Sequence, residues 1–346
     1  MFILIIPVII SFIRYYSYKE KENPKDIVVL QPNIDPYQKF ISDPYEQTII
    51  QLKLAAAYAD SSTDYVVGPE TSINNSIWLD QIERVPDVIL IRNFMKNHPR
   101  LKYVVGAQCF ERVYDQDTIS PTVKRIPGTP VYYESYNAAL QLDSTPEVQV
   151  YYKSELVVGV EKMPYAKYLR FLDKLIIRLG GTTRGWSTQE ERGVFVSPQD
   201  STMIAPVICW ESVFGEYLND YILKGAGFIF VLTNDGWWGD TPGYRQHNAL
   251  SRARAVETRR SVARSANTGI SCFIDQRGDI IKKLGWWERG AIRATINVNE
   301  KVTFYVRNGD YIGMMSRFFS LLVVLYLLTS YLLRIRRNKS EDTAGR

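Results

Sequence analysis

The chain has 346 residues, a length that allows one large domain or two domains of ordinary size. Its hydrophobic share of 46% and charged share of 23% are close to globular averages, which excludes a disordered or collagen-like chain. The mean hydropathy of −0.17 is too polar for a protein built mainly of membrane-spanning helices.

Charge and cysteine content narrow the classes of function. The net charge is +5, and most of it comes from the end of the chain, where five basic residues outnumber two acidic ones: Arg334, Arg336, Arg337, Lys339 and Arg346 against Glu341 and Asp342. A nucleic-acid partner is not expected, because its binding surface would spread basic residues over the domain. Three separate cysteines and two histidines give no zinc-site spacing, and nothing indicates a metal or redox cofactor.

The first segment, MFILIIPVIISFI (residues 1–13), is apolar but too short to cross a bilayer comfortably. No basic residues precede it and no A-x-A cleavage site follows it, as a signal peptide would require. It is therefore predicted to be either a signal-like segment or the remaining end of a longer transmembrane helix.

Residues 26–306 alternate apolar strands with helical stretches, which predicts one layered α/β domain. Two of the apolar runs are continuous, as expected for central strands covered on both faces. Helical spacing predicts helices over 45–59, 88–97, 211–224 and 245–260. The predicted strands are 27–30, 65–67, 103–107, 136–142, 148–152, 203–208 and 228–232, followed by a hairpin of 271–274 and 279–283.

Ile312–Leu333 is apolar on all faces and carries one charge, Arg317, near its start. With that side chain extended toward the surface, the segment is long enough to cross a hydrocarbon layer of ~30 Å as a helix. A buried C-terminal helix is the alternative. The basic tail of residues 334–346 favours a cytoplasmic end, which puts the main domain on the opposite side of the membrane.

Cys209 is a candidate nucleophile. It directly follows strand 203–208, and a helix is predicted over 211–224. The N-terminal end of a helix lowers the pKa of a nearby thiol and offers N–H groups to an oxyanion. An unreactive buried cysteine is the alternative, and it is the commoner case.

Two carboxylates and one lysine are further candidates. Glu70 lies just after strand 65–67, at the strand edge where open α/β sheets place their sites. Lys153 follows strand 148–152, from where an ammonium can stabilise an oxyanion, and Glu161 lies eight residues further on. Taken singly, these residues fit turn caps or solvated strand ends equally well.

His247 and two adjacent tryptophans carry weaker signals. His247 is a possible base for Cys209, but its helix is polar, and we predict a surface or packing residue instead. Trp237 and Trp238 lie in a turn-rich loop after strand 228–232. They predict either a packed loop or a contact with substrate or lipid, because tryptophan favours membrane interfaces.

These motifs together resemble one family. VVGPETS contains Glu70, YYKSELVVGVEKMPY contains Lys153, and APVICWES contains Cys209, in the Glu–Lys–Cys order of the nitrilase, or carbon–nitrogen hydrolase, superfamily. The segment LTNDGWWGDTPGYRQHNALSRARAVETRRSVARSANTGIS and the C-terminal apolar stretch are similar to its membrane-bound branch, the apolipoprotein N-acyltransferases.

This resemblance implies a nitrilase-like αββα sandwich that performs acyl transfer at a membrane. Cys209 would attack a phospholipid ester and form a thioester, and the α-amino group of the lipidated N-terminal cysteine of an apolipoprotein would then accept the acyl chain. Glu70 would be the general base, Lys153 would stabilise the oxyanion, and Glu161 would hold Lys153.

The resemblance also implies supporting residues and a location. Glu211 matches a family position near the active site, and Trp237 and Trp238 match an aromatic loop near the lipid entrance. The location would be the bacterial inner membrane, with the catalytic domain on the periplasmic side.

The sequence departs from the family at its N-terminal end. The family carries several transmembrane helices before this domain, whereas only residues 1–13 precede it here. The chain is expected to be a truncated copy or a shortened form. Two other interpretations stay open, namely a membrane-tethered amidase or nitrilase that uses water as acceptor, and an inactive copy.

Overall fold

A computed structural model describes residues 2–39, 41–114, 122–162 and 185–344, and side chains only between residues 5 and 335. The chain forms two compact units, residues 1–303 and 304–346. The helices of the first unit are α1 (Phe2–Ser17), α2 (Pro44–Tyr58), α3 (Pro86–Met95), α4 (Gly215–Leu223) and α5 (Pro242–Thr258). The second unit contains α6 (Phe304–Asn308) and α7 (Tyr311–Ala344).

The strands form two sheets. The first contains β1 (Pro24–Gln31), β2 (Tyr65–Val67), β3 (Ile73–Trp78), β4 (Lys102–Val113), β5 (Lys124–Arg125), β6 (Tyr132–Leu142), β7 (Gln149–Tyr152) and β14 (Gly290–Asn297). The second contains β8 (Phe195–Val196), β9 (Met203–Ile208), β10 (Phe228–Thr233), β11 (Ser261–Ala266), β12 (Cys272–Ile274) and β13 (Ile280–Lys283).

The order of strands explains where functional side chains gather. In the first sheet the order is β14-β1-β2-β4-β6-β5, with β3 paired to β4 and β7 paired to β6; β1, β2 and β4 are parallel. In the second sheet the order is β13-β12-β11-β10-β9-β8, and β9, β10 and β11 are parallel. Parallel strands end at the same sheet edge, so the turns after them lie together.

Each sheet has one face toward helices and one toward the other sheet. In β1, Val28 and Leu30 pack into a core with residues of α2 and α3, such as Ala55 and Ile91. Between the sheets, the rings of Tyr65 and Phe230 meet edge to face with centroids 5.2 Å apart. The result is a layered α/β sandwich of two sheets, as expected.

Apolar runs predicted most strands, and polar strands were missed. Strand 203–208 has the predicted bounds, and the predicted hairpin is present as β12 and β13. The sequence of β11, SVARSA, contains a fully buried arginine, Arg264, and therefore shows neither alternation nor a continuous apolar run. The predicted helix over 211–224 is instead a 3₁₀-helical turn, Cys209–Val213, followed by the short helix α4.

The terminal helices are apolar and exposed. In α7 the stretch Tyr311–Ile335 has a mean hydropathy of 2.0 and no buried share, so its length and composition suit a membrane span. The side chains beyond Ile335, which include most of the predicted basic tail, lie outside the described residues. Helix α1 is apolar over Ile5–Ser17, and near its end the Tyr15 hydroxyl donates to Asp279 Oδ2 at 2.8 Å.

Candidate active site

The candidate site lies where strands of both sheets end. Glu70 follows β2, Lys153 follows β7, and Cys209 follows β9. Strand β7 pairs with β6 so that Lys153 comes opposite Asn137, whose carbonyl oxygen accepts the Lys153 backbone N–H at 2.8 Å. The register of one antiparallel pair therefore sets the position of the lysine, and it adds an asparagine that the sequence did not single out.

Lys153 lies between two carboxylates. Its Nζ is 3.0 Å from Glu70 Oε1 and 2.9 Å from Glu161 Oε2. Asn137 Nδ2 donates to the same pair, at 2.8 Å to Glu70 Oε1 and 3.1 Å to Glu161 Oε1. The backbone N–H of Val157 donates to Glu161 Oε2 at 2.8 Å. The three charged candidates predicted from sequence thus form one hydrogen-bonded cluster.

The cluster is buried, and its charges are interdependent. The Lys153 side chain is 1% exposed and the Glu70 side chain 10%. Burial alone lowers the pKa of Lys153, but the carboxylates of Glu161 and Glu70 outweigh it and raise that pKa well above the ordinary value. Lys153 therefore stays an ammonium at all physiological pH values.

The backbone at Cys209 is unusual. Its φ of 49° lies in the left-handed region, which costs a non-glycine residue about 1–3 kcal/mol and is common at active sites. The first turn of the 3₁₀ segment starts here, so the thiol lies at the end of β9 next to the charged cluster.

The expected lowering of the Cys209 pKa is wrong. Burial raises the pKa of the thiol, the nearby Glu70 carboxylate raises it further, and the Lys153 ammonium offsets part of this effect. The predicted helix dipole is weak because only five residues of 3₁₀ helix follow. The resting thiol is therefore protonated at neutral pH, and a base must act before it attacks.

Glu211 links the lysine segment to the cysteine segment. It is fully buried, and its Oε2 accepts the N–H of Ile208 at 2.7 Å. Its Oε1 accepts the hydroxyls of Tyr151 and Tyr217, both at 2.7 Å, and the N–H of Ser154 at 2.8 Å. One carboxylate thus fixes the residue after Lys153 and the residue before Cys209.

Of the two positions predicted for His247, surface or packing, the structure shows the packing position. His247 is 2% exposed, and its Nε2 lies 3.0 Å from the carbonyl oxygen of Cys209 and 2.8 Å from Ser212 Oγ. Its Nδ1 lies 2.9 Å from Asp235 Oδ1, and Arg264 forms an ion pair with Asp235 Oδ2 at 2.7 Å. His247 therefore contacts the backbone of Cys209, and the sequence pattern did not reveal this because the polar side of α5 faces the protein interior.

The two tryptophans occupy different environments. Trp237 is 41% exposed, and its ring meets that of Tyr37 edge to face at 5.4 Å. Trp238 packs edge to face on His247, with ring centroids 5.2 Å apart. One indole is thus partly open to solvent, and the other packs on the histidine that contacts the Cys209 backbone.

Close packing against the backbone fixes the position of the turn that carries Glu70. A Cβ added at Gly106 of β4 would lie 2.6 Å from both Glu70 Cα and Thr71 N, so only glycine fits there. The ammonium of Lys39 donates to the carbonyl oxygen of Glu70 at 2.9 Å. Neither residue was a candidate, because a lone glycine within a strand and a lysine in a loop are weak signals in a sequence.

The other two thiols differ from Cys209 in their surroundings. All three cysteines are free and buried. Burial raises the pKa of Cys109 and of Cys272 to about 12, and neither follows a strand next to a lysine and two carboxylates. Cys272 lies opposite Arg264 in the second sheet, whereas Cys209 is the thiol of the three on which Glu70 and Lys153 act.

This arrangement can perform nucleophilic catalysis. A carboxylate can remove the thiol proton, and a buried ammonium can stabilise the negative charge of a tetrahedral intermediate. A thiolate is both a good nucleophile and a good leaving group, which suits a covalent acyl intermediate.

Comparisons with known proteins agree with this geometry. The carbon–nitrogen hydrolase family model matches residues 27–302. Two solved structures share the fold: an amidase of the nitrilase superfamily from Nesterenkonia (TM-score 0.53, 15% identity, 85% of this chain and 97% of that one), and a superfamily member from Xanthomonas campestris with an arsenic adduct in its active site (TM-score 0.54, 16% identity, 84% and 98%).

Sequence relatives give a finer likeness. The apolipoprotein N-acyltransferase of Agrobacterium fabrum is 32% identical over 338 residues, which are 92% of this chain and 56% of that protein. The enzyme of the same name from Chlorobaculum tepidum is 28% identical over 292 residues, which are 82% of this chain and 53% of that protein. The chain thus spans about half the length of the curated relatives it matches.

The family model begins in β1 and ends after β14, so it includes every strand that contributes to the candidate site. The chain therefore belongs to the carbon–nitrogen hydrolase family.

Proposed function

We propose that this protein is an N-acyltransferase of the apolipoprotein type. It would move an acyl chain from a phospholipid through a Cys209 thioester to the α-amino group of a lipidated N-terminal cysteine. The observation that carries the proposal is the buried cluster of Glu70, Lys153 and Glu161, in which Glu70 and Lys153 act electrostatically on the Cys209 thiol. The names of the curated relatives support N-acylation of an apolipoprotein, and the phospholipid donor comes from the family resemblance.

The first half-reaction forms the thioester. Glu70 takes the thiol proton as Cys209 attacks the ester carbonyl carbon, and Lys153 neutralises the oxyanion that forms. When the tetrahedral intermediate collapses, the carbon–oxygen bond breaks. Glu70 returns its proton to the leaving alkoxide, which departs as a lysophospholipid.

The second half-reaction uses the same groups. Glu70 removes a proton from the attacking amine, and Lys153 again stabilises the oxyanion. The carbon–sulfur bond then breaks, the amide remains on the acceptor, and Cys209 recovers its proton. The raised pKa of the thiol favours this reprotonation after each cycle. Glu161 and Glu211 support these steps by fixing Lys153 and the two strand ends.

Three apolar features support the proposed membrane context. Helix α7 would anchor the chain, and the exposed Trp237 would contact the lipid surface, with Trp238 packed behind it. The domain 26–306 would lie on the periplasmic side of the bacterial inner membrane, and the basic tail 334–346 would stay in the cytoplasm.

Intact mass spectrometry tests the proposal. The protein is incubated with phospholipid vesicles, and a mass increase of one acyl chain is expected for the wild type. The Cys209→Ala variant should show none, whereas Cys272→Ala, a matched change at a second buried thiol, should acylate normally. When a peptide with a diacylglyceryl cysteine at its N-terminus is then added, the protein should lose the acyl mass and the peptide should gain it.

The competing function is hydrolysis, since solved neighbours include amidases. In that case water would be the acceptor, and fatty acid would be released at the same rate with or without peptide. The absence of any adduct on a thiol that still reacts with an alkylating agent would contradict transfer by this chain.

A further inference from the structure

Lys39 is a buried lysine that the proposed mechanism does not use. It lies in the loop after β1 and is 1% exposed. Its ammonium donates to the carbonyl oxygen of Glu70 at 2.9 Å and to Thr71 Oγ1 at 2.7 Å. Within the described part of the chain, no carboxylate forms an ion pair with it. The positive charge is therefore held by two neutral oxygens, a costly arrangement for a buried cation.

The backbone of Lys39 is held as firmly as its side chain. Its carbonyl oxygen accepts Gln47 Nε2 from α2 and Asn74 Nδ2 from β3, both at 2.6 Å. Lys39 thus connects two elements of the first sheet layer to the turn that carries Glu70.

That turn has little freedom of its own. Thr71 has a φ of 46°, in the left-handed region, and Gly106 packs against the opposite side of the turn. A charge-assisted hydrogen bond to the Glu70 carbonyl oxygen favours this strained backbone over relaxed alternatives. The orientation of the Glu70 carboxylate then depends on Lys39.

We propose that protonated Lys39 is a positioning residue that holds the Glu70 turn in its working orientation, and that the site loses this support when Lys39 loses its proton. The proposal rests on the proposed function only in taking Glu70 as the base that acts on Cys209.

The surroundings of Lys39 make that proton removable near physiological pH. Burial lowers the pKa of Lys39 to about 8, and the Glu70 carboxylate opposes this shift. Glu70 is the charged group acting on Lys39, and it belongs to the turn after β2. The groups that face it from α2 and β3 are the amides of Gln47 and Asn74, and the remaining partner is the Thr71 hydroxyl.

The test uses the reactivity of the Cys209 thiol, which requires neither lipid nor acceptor. The rate of alkylation of Cys209 by iodoacetamide is measured by peptide mass spectrometry in the wild type and in Lys39→Met. The ratio of the two rates cancels the ordinary rise of thiolate with pH. We expect the wild-type rate to be about 10 times the Lys39→Met rate near pH 6.5, where Lys39 is charged. Close to pH 9.5, above the Lys39 pKa of about 8, the two rates should be equal, a ratio of about 1.

Lys102→Met is the matched control. Lys102 is also 1% exposed and its pKa is also lowered by burial, but it pairs with Tyr65 at the opposite end of β2 from Glu70. Its rate ratio should stay within about twofold of 1 at both pH values. Should Lys39→Met not fold, Thr71→Val removes one of the two acceptors and should give about a threefold ratio with the same pH trend.

The outcomes are decisive for Lys39 itself. A Lys39→Met ratio that is the same at both pH values would mean a structural role only and would overturn the proposal. A ratio no larger than that of Lys102→Met would overturn it as well. Because alkylation needs no substrate, failure of acyl transfer in the vesicle experiment would leave this result unaffected.

Discussion

The two sheets hold their parts of the candidate site in different ways. The first sheet contributes Glu70, Lys153 and Glu161, which position one another through charge and side-chain hydrogen bonds. The second sheet contributes Cys209, whose backbone is fixed while its thiol has no ion pair of its own. Glu211 accepts the N–H of Ile208, and His247 contacts the carbonyl oxygen of Cys209, so both fix the main chain around that thiol.

This difference separates two kinds of sensitivity. Among the site residues of the first sheet, a substitution that keeps the shape of the side chain but removes its charge should abolish the reaction. Around Cys209 of the second sheet, the buried network of His247, Asp235 and Arg264 should matter mainly through geometry and stability, since its charged groups are paired with one another. The following substitutions test that distinction, from the largest expected effect to the smallest.

Lys153→Met should lower the rate of thioester formation by about 1,000-fold, because the oxyanion loses its cation and two buried carboxylates lose their partner. Single-turnover acylation followed by intact mass measures it. Lys102→Met, at a second buried lysine away from the site, should retain most of the activity. A decrease in the rate of thioester formation smaller than tenfold for Lys153→Met would contradict the charge-based role of the site residues of the first sheet.

Asp235→Asn should reduce the free energy of unfolding by about 3 kcal/mol at neutral pH, because it leaves Arg264 buried without its partner. Burial works against ionisation of Asp235, but Arg264 and His247 prevail and hold its pKa below the ordinary 3.8. The stabilisation is therefore present above that value and is lost as the pH falls through the lower folded-state pKa.

Urea unfolding in detergent across this range measures the effect, with the wild type and the variant converging in acid. Asp220→Asn, at an exposed carboxylate 3.6 Å from Arg192, is the control and should change stability by less than about 1 kcal/mol. Equal losses of unfolding free energy in the two variants would show that the buried Arg264–Asp235 ion pair stabilises the protein no more than an exposed one.

Gly106→Ala should slow acylation by about 100-fold, since the new methyl group must push the Glu70 turn away from Cys209. Its effect on stability should be about 1–3 kcal/mol, as for other overpacked cores. Gly193→Ala is the matched control, because its added Cβ meets nothing closer than 3.5 Å. Kinetics and thermal unfolding of both variants distinguish displacement of the base from general destabilisation.

His247→Asn should lower the acylation rate by about tenfold and leave the KM for lipid unchanged, because one hydrogen bond to the Cys209 carbonyl oxygen is lost. His98→Asn, at a half-buried histidine whose Nδ1 lies 3.1 Å from the Asp60 carbonyl oxygen, should behave as wild type. A fall in acylation rate as large as that of Lys153→Met would assign His247 a direct part in proton transfer. It would contradict the proposed difference between the site residues of the two sheets.

Sequence patterns predicted the layered α/β domain and the membrane-type helix, because both depend on runs of apolar residues, whereas the sandwich was implied by the family resemblance. Central strands such as β9 and β10 read as continuous apolar runs, and the stretch 311–335 is too apolar for a domain surface. Strand β11 and the inward side of α5 were misread, because their buried residues are charged or polar and satisfied by one another.

The sequence by itself determined which chemical groups are available: a thiol after one strand, and a carboxylate and a lysine after two others. Their identity and order depend only on local strand ends and on a recognisable motif order. Tertiary structure decided how they interact, since β6–β7 register places Asn137 beside Lys153, and packing at Gly106 and Lys39 sets the turn of Glu70. Such contacts join residues far apart in the chain, and the pKa of Cys209 rises because folding buries it beside a carboxylate, which no local pattern records.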